Sequence, residues 1–246
     1  MAVKKILISQ QEPQVIAPYT ALKDKYGVEI DFRPLFLIEP LSSREFRTQK
    51  INLAEFTAIV FSSKSTIDAY FAMCDELRVK VPETMKYFCS TESVAKYLQK
   101  HIVYRKRKIF FGNGTPESII SEIGTKHNGE KFLVTTSEKI DTDITRAFTA
   151  AKLPFTPAIF VKPVSQDIKD IDLDGYDVAV LYNKADVKSI FENKPDFTQG
   201  SLKFITFGKS VVKAMEEANL SIEIAAPTTE VPSVVKALEI FIANNA

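Results

Sequence analysis

The stretch that decides the fold is Thr57-Ala-Ile-Val-Phe-Ser-Ser-Lys-Ser-Thr-Ile-Asp-Ala-Tyr-Phe71, because its pattern recurs without a gap at Asp177-Val-Ala-Val-Leu-Tyr-Asn-Lys-Ala-Asp-Val-Lys-Ser-Ile-Phe191. Each copy is a short apolar run, a polar turn that carries Lys64 or Lys184, and then apolar residues at helical spacing. A short apolar run that leads into an amphipathic helix is half of a βαβ unit. The pattern therefore predicts parallel sheets, whose ligand-binding loops lie at the carboxyl ends of the strands.

A second pair follows the first in the same order. Lys86-Tyr-Phe-Cys-Ser-Thr-Glu-Ser-Val-Ala-Lys96 is similar to Lys203-Phe-Ile-Thr-Phe-Gly-Lys-Ser-Val-Val-Lys213. Ser93 and Ser210 stand near the predicted helix starts. A serine there can cap the exposed backbone N–H groups or contact a ligand, and the sequence leaves both interpretations open.

A third pair of similar segments occupies different places in the two copies of the repeat. Lys5-Ile-Leu-Ile-Ser-Gln10 resembles Lys131-Phe-Leu-Val-Thr-Thr136, yet the first copy opens the chain whereas the second ends its half. The simplest packing is an α/β fold with two lobes, residues 1–37 plus 165–246 and residues 40–162. Each lobe is expected to hold a parallel sheet of about five strands flanked by helices, and two interlobe crossings join the lobes around a cleft.

The composition excludes several classes of function. The net charge of +1 gives no bulk electrostatic support for nucleic-acid binding, and no apolar run is long enough for a membrane span. The amino-terminal sequence lacks the features of a signal peptide. Cys74 and Cys89 are expected to be buried free thiols in a reducing compartment. We therefore expect a cytoplasmic protein and, because no exposed apolar heptad is evident, a monomer.

The sequence carries no self-contained catalytic motif. His101 and His127 lack other metal-ligating residues at suitable spacing, which predicts no metal, and no glycine-rich phosphate loop is present, which predicts no nucleotide cofactor. What remains is a set of polar turns at predicted strand ends, where backbone N–H groups and lysines suit a ligand rich in carboxylates. The candidate substrate-binding residues are Ser62, Ser63, Lys64, Asn113, Gly114, Asn183, Lys184, Gly208, Lys209 and Ser210.

A basic run has no counterpart in the repeat. Tyr104-Arg-Lys-Arg-Lys-Ile-Phe-Phe111 places four cations before an apolar segment. One interpretation is an edge strand that its charges keep soluble. The other is a cationic wall for a polyanionic ligand.

The order of these turns resembles the uroporphyrinogen-III synthase family over essentially the whole chain. The family's first turn, a strand that ends in Phe-Thr-Ser before a helix, is matched by Val60-Phe-Ser-Ser-Lys-Ser-Thr-Ile-Asp-Ala69. Its second turn falls on Leu181-Tyr-Asn-Lys-Ala185. Its Ile-Gly-x-x-Thr-Ala turn falls on Phe207-Gly-Lys-Ser-Val-Val212, and its closing Pro-Thr pair on Ala225-Ala-Pro-Thr-Thr229.

Three positions depart from the family pattern. Val211 occupies the place of a threonine, and Asn183-Lys184 replaces a Ser-Pro pair. Val161 occupies the place of a tyrosine that is the family's usual candidate proton donor. Tyr182, on a turn that we expect to face this position, is the candidate catalytic proton donor, and the alternative is a partly buried aromatic residue at a strand end.

The resemblance implies a cofactor-free reaction on hydroxymethylbilane. This linear tetrapyrrole with eight carboxylates loses water, and ring D closes through a spiro intermediate with inversion to give uroporphyrinogen III. The enzyme would mainly position the chain and exclude the spontaneous uninverted closure. Two alternatives stay open, namely a non-catalytic relative that binds a tetrapyrrole or other anion, and a bilobal small-molecule binding protein.

Overall fold

The structure, a computed structural model, describes residues 3–138 and 140–245. The extreme residues of the predicted first lobe, 1, 2 and 246, lie outside this part of the chain. The strands are β1 (Lys5–Ile8), β2 (Glu29–Phe32), β3 (Phe36–Pro40), β4 (Ala58–Phe61), β5 (Lys86–Cys89), β6 (Ile109–Phe111), β7 (Phe132–Ser137), β8 (Phe155–Ser165), β9 (Val178–Leu181), β10 (Lys203–Phe207) and β11 (Ile224–Ala226).

Helices alternate with most of these strands. The α-helices are α1 (Ala17–Tyr26), α2 (Ser43–Arg47), α3 (Lys64–Glu76), α4 (Glu92–Tyr97), α5 (Pro116–Ile123), α6 (Asp143–Ala150), α7 (Lys184–Asn193), α8 (Lys209–Glu217) and α9 (Val234–Asn244). Short 3₁₀ turns lie at Leu53–Glu55, Leu98–Lys100 and Leu173–Gly175. Within the described chain no helix is both long and apolar enough to cross a membrane.

The chain divides into two compact units, which we call unit 1 and unit 2. Unit 1 comprises residues 3–37 and 164–245 of the described chain, and unit 2 comprises Ile38–Pro163. β3 and β8 run through the two points at which the chain changes unit.

Unit 1 is built on a five-stranded sheet with the order β11-β10-β9-β1-β2, in which every neighbouring pair is parallel. Successive residues of a strand point to opposite faces. Val178 and Val180 of β9 accordingly pack in the core with α1 and α9, whereas Ala179 and Leu181 pack with α7 and α8. Helices therefore cover both faces, and the β9 segment Val178–Leu181 is buried throughout, as the continuous apolar run predicts.

Unit 2 is built on a six-stranded sheet with the order β3-β8-β7-β4-β5-β6. Its central strand β4 repeats the arrangement of β9. Ile59 and Phe61 pack towards α3, and Ala58 and Val60 pack towards α5 and α6. The predicted α/β class with two helix-flanked sheets is confirmed. The sheets are interleaved along the chain, because the sheet of unit 1 takes β1 and β2 from the first part of the chain and β9, β10 and β11 from the last part.

The basic run lies at the edge of the unit 2 sheet. The edge position of its apolar segment is confirmed, but only Ile109–Phe111 forms a strand and the four cations precede it in a turn. Lys108 lies beside the amino end of β5, since its carbonyl accepts from the Tyr87 N–H at 2.8 Å. The cations are thus at the amino end of the sheet, whereas the candidate binding turns follow the carboxyl ends of the strands.

Candidate functional site

The first candidate turn joins β4 to α3 in unit 2. Ser63 caps the helix: the Thr66 N–H donates to Ser63 Oγ and the Ser63 N–H donates to Thr66 Oγ1, both at 3.3 Å. The Ser62 carbonyl accepts from Ser90 Oγ at 2.9 Å, which ties this turn to the one after β5. Ser62 is left exposed, whereas the Ser63 hydroxyl is used by the cap.

Lys64 follows as the first residue of α3. Its side chain is exposed, and its Nζ lies 5.5 Å from the centre of the Tyr97 ring. Tyr97 is fixed in turn, because its hydroxyl donates to Asp68 at 2.7 Å. The Lys64 ammonium is therefore held beside the start of α3 by a cation–π contact, with its charge accessible to solvent.

Asn113 and Gly114 form the turn between β6 and α5. Asn113 Oδ1 accepts from the Thr115 N–H at 3.1 Å and from its hydroxyl at 2.8 Å. The Gly114 N–H donates to the Ser90 carbonyl at 2.8 Å, and its φ of +101° requires glycine. The Asn113 side-chain oxygen thus shapes the turn rather than pointing to a ligand.

The turns of unit 2 surround a cavity of about 270 Å³ at the carboxyl end of the sheet. Its floor is apolar, with Val60, Phe61, Ile119 and Ile144 among its lining residues. The polar residues of its wall are Ser62, Ser90, Thr91, Gly114, Thr115 and Thr135. A polar wall above an apolar floor suits a ligand that carries both apolar and polar groups.

This cavity includes only two of the predicted binding residues, Ser62 and Gly114. Ser90, Thr91, Thr115 and Thr135 were not among the predicted binding residues. Ser90 and Thr91 follow β5, Thr115 directly precedes α5, and Thr135 lies within β7. Ser90, Thr91 and Thr135 belong to the polar segments that the sequence places at strand ends, but the sequence does not single them out as binding residues.

The corresponding turn of unit 1 joins β9 to α7. Asn183 caps α7, since its Oδ1 accepts from the Ala185 N–H at 3.2 Å. Asp186 Oδ2 accepts from the N–H groups of Tyr182 and Asn183, each at 2.9 Å. Lys184 is the half-buried first residue of α7. This turn is therefore held by a carboxylate where its counterpart in unit 2 uses a threonine hydroxyl.

Tyr182 follows β9 with its ring against the apolar cluster that includes Ile6, Ile8 and Ile205. Its hydroxyl is buried and has no hydrogen-bond partner among the residues that the structure describes. Burial raises the pKa of this phenol above its usual value. The phenol is thus protonated at neutral pH but its hydroxyl is buried, and its role as proton donor stays a prediction.

Gly208, Lys209 and Ser210 form the turn between β10 and α8. The φ of Gly208 is +129° and its N–H donates to the Ala226 carbonyl at 2.8 Å, so this position requires glycine. No side chain of the described residues caps α8, and Lys209 and Ser210 are exposed. The first N–H groups of α8 are therefore the most open anion-binding groups of the predicted set.

Two of the positions that depart from the family pattern are core positions here. Val211 is fully buried in the core of unit 1, and Val161 is 2% exposed in the core of unit 2. An apolar side chain at each position adds to the core. Within the described ranges, no group of three or more His, Cys, Asp and Glu residues is arranged to hold a metal ion.

Comparison with known proteins points to one family. The family model described as uroporphyrinogen-III synthase HemD matches residues 17–236. The uroporphyrinogen-III synthetase of Helicobacter pylori is 14% identical, with 98% of this chain and 99% of that chain covered and a TM-score of 0.61. A mutant uroporphyrinogen III synthase of Thermus thermophilus is 13% identical, with 99% and 100% covered and a TM-score of 0.55. No curated protein matches the chain significantly. The two solved structures show a shared fold.

Proposed function

The chain belongs to the uroporphyrinogen-III synthase family, and from this premise we propose that it is a hydro-lyase that closes hydroxymethylbilane without a cofactor. One observation carries the proposal: the family match spans residues 17–236, which include every candidate binding residue of both units. The product of this family, uroporphyrinogen III, belongs to haem biosynthesis.

The proposed chemistry is driven by the substrate itself. A pyrrole nitrogen supplies the electron pair that expels the hydroxyl group as water, with one proton from a general acid. The substituted carbon of ring D attacks the resulting methylene-pyrrolenine and forms a spiro intermediate. That intermediate fragments and recloses with ring D inverted, and the last ring carbon loses a proton. The protein has to position the chain and to supply one acid.

The turns of each unit support carboxylate binding. The uncapped start of α8 offers N–H groups to an anion, beside the exposed Lys209. In unit 2, Lys64 stands at the start of α3, and Ser62 and Gly114 line the cavity. Helix starts and lysines suit carboxylates. Eight carboxylates can be bound by many such contacts, which accounts for a site without a compact sequence motif.

Positioning can supply most of the rate increase. Correct orientation of the reacting ends is worth several kcal/mol, up to about 7–11 kcal/mol in well-oriented systems. One general acid adds about 10²–10⁴-fold. Tyr182 is our candidate for that acid, and its hydroxyl would have to become exposed when substrate binds, because it is buried here.

The cellular setting is part of the same proposal. Cys74 and Cys89 are both free and buried, and burial raises their pKa values to about 11 and about 12. Unreactive free thiols fit a reducing compartment, which supports the cytoplasmic location predicted from the sequence. We also keep the prediction of a monomer, which sedimentation at several protein concentrations would test.

Metal removal tests the cofactor-free proposal. Purified protein is dialysed against EDTA and then mixed with freshly made hydroxymethylbilane, and substrate loss is followed against a protein-free sample. We expect the dialysed protein to consume substrate at the rate of the undialysed protein. Loss of activity that added metal ions restore would refute this part of the proposal.

A further inference from the structure

Asp186 is a buried carboxylate directly behind a candidate binding turn. Its side chain is fully buried in the first turn of α7. One oxygen, Oδ2, accepts from the N–H groups of Tyr182 and Asn183. The other oxygen, Oδ1, is buried and has no hydrogen-bond partner in the described part of the chain. Buried carboxylates are normally paired, so this arrangement calls for an explanation.

Two further buried hydroxyl groups lie on the same face of the sheet. Ser9 follows β1 and Thr206 lies in β10, the two neighbours of β9. Residues two positions apart in a strand point to the same face of the sheet. Leu7 and Phe204 belong to the core cluster that packs against α7, so Ser9 and Thr206 are on that same face. Ser9 Oγ and Thr206 Oγ1 also lack partners among the described residues.

We propose that Asp186 is a positioning residue for the proposed reaction: it fixes the backbone of the turn 182–184, and its charge sets how well this turn attracts the carboxylates of the substrate. This inference rests on the proposed function. It follows from the two hydrogen bonds to the turn and from the charge of Asp186, whose counterpart in the repeat, Thr66, is neutral.

The charge matters because of where it lies. The amino-terminal end of a helix carries a partial positive charge that favours anions. An ionised Asp186 neutralises that potential at the start of α7, whereas a protonated Asp186 leaves it in place. Substrate carboxylates should therefore bind this turn better when Asp186 is neutral.

The environment places this ionisation near neutral pH. Burial raises the pKa of Asp186 to about 6, and the backbone N–H groups of Tyr182 and Asn183 act in the opposite direction. The Asp186 charge also acts on the Tyr182 phenol, and the neutral Ser9 and Thr206 lie after β1 and in β10, on the side of the sheet that α7 covers.

The test compares Asp186→Asn, Asp186→Ala and the exposed control Asp196→Asn. For the wild-type protein we expect the KM for hydroxymethylbilane to rise as the pH increases from about 5 to about 8, because this range spans the pKa of Asp186. Asn keeps an acceptor for the turn but cannot ionise, so Asp186→Asn should flatten this rise. Ala removes both the acceptor and the ionisable group, so Asp186→Ala should raise KM about tenfold at about pH 5, where the wild-type carboxyl is neutral, and should also lack the rise with pH, while kcat changes less. The control should follow the wild-type profile.

A second readout does not depend on catalysis. The amide protons of Tyr182 and Asn183, followed by NMR, should shift with a midpoint near pH 6 in the wild-type protein and not in Asp186→Asn. A wild-type protein without these shifts, or an Asp186→Ala variant that is folded and has the wild-type KM, would overturn the inference. Absence of enzymatic activity together with normal amide shifts would refute the proposed function and leave the fixing of the turn in place.

Discussion

Thr66 and Asp186 occupy the same position in the two copies of the duplicated turn and make the same kind of hydrogen bond. The Ser63 N–H donates to Thr66 Oγ1 at 3.3 Å, and the Asn183 N–H donates to Asp186 Oδ2 at 2.9 Å. Each residue thus closes a reciprocal cap with the residue three positions before it. The architecture of the turn is kept, but one copy is neutral and the other contains a buried carboxylate.

Replacing this carboxylate should stabilise the protein at high pH. The pKa of Asp186 is raised from 3.8 to about 6 in the folded state, so the folded protein binds the proton more tightly than the unfolded chain. The contribution of Asp186 to stability is therefore greatest below pH 3.8 and is lost as the pH rises through about 6. We expect Asp186→Asn to raise the free energy of unfolding at about pH 8 by up to about 3 kcal/mol.

Urea unfolding at about pH 5 and about pH 8 checks this prediction, because the two conditions lie on either side of the folded-state pKa. The difference between Asp186→Asn and the wild-type protein should be larger at the higher pH. Asp196→Asn serves as the control, because Asp196 is exposed in the same unit. A larger gain at the lower pH would contradict the assumed direction of the pKa shift.

Gly208→Ala should damage both folding and binding. The φ of +129° lies in a region that side chains rarely adopt, and the added Cβ would lie 3.6 Å from the Tyr182 carbonyl oxygen. Such strain costs about 1–3 kcal/mol, and a shift of this turn would move the open N–H groups of α8. We expect a lower thermal midpoint and a raised KM. Gly129→Ala is the matched control, since Gly129 has open space around it. Equal effects of the two substitutions would show that the Gly208 turn has no special role.

Removal of charge at Lys64 or Lys184 should weaken substrate binding. Each lysine begins the helix that follows a candidate turn. We expect Lys64→Gln and Lys184→Gln to raise KM about three- to tenfold with little change in kcat, and we expect added salt to reduce the difference. The exposed Lys80, which lies on no candidate turn, provides the control Lys80→Gln. Unchanged KM values would mean that these two charges do not bind the substrate.

Tyr182→Phe tests the predicted proton donor. The Tyr182 hydroxyl is buried without a partner in the described chain, so its removal should leave stability unchanged or slightly increased. If the phenol becomes exposed in the complex and protonates the leaving hydroxyl, kcat should fall about 10²–10⁴-fold with little change in KM. A variant with wild-type kcat would remove Tyr182 from the mechanism.

The fold could be predicted because its signals are local and repeated. The apolar runs at Ala58–Phe61 and Val178–Leu181 are short, continuous and followed by helical spacing, and both are buried central strands. The order of the similar segments then made two interleaved sheets the simplest packing. The limits of the strand near the basic run were less predictable, because the sequence passes from cations to apolar residues without a turn signal. Only three residues, Ile109–Phe111, pair with β5.

The polar turns of the candidate site could be located from the sequence, but their hydrogen bonds could not. The sequence identifies the polar turns, yet it does not show which side chains a cap will use. Ser63 and Asn183 are caps, whereas Ser90 and Thr135 line the cavity because their strands lie beside β4 in the sheet. The burial of Asp186 depends on the packing of α7 over the sheet of unit 1, which no local pattern reveals.

The measurement that tests the central claim most directly is the isomer composition of the product. Purified protein is mixed with freshly made hydroxymethylbilane, the products are oxidised, and uroporphyrin isomers I and III are separated and quantified. Family membership and the proposed binding of carboxylates by the turns predict that isomer III dominates and that substrate disappears faster than in the protein-free sample. Isomer I alone, formed at the spontaneous rate, would contradict the account and would favour a relative that binds a tetrapyrrole or another anion without catalysis.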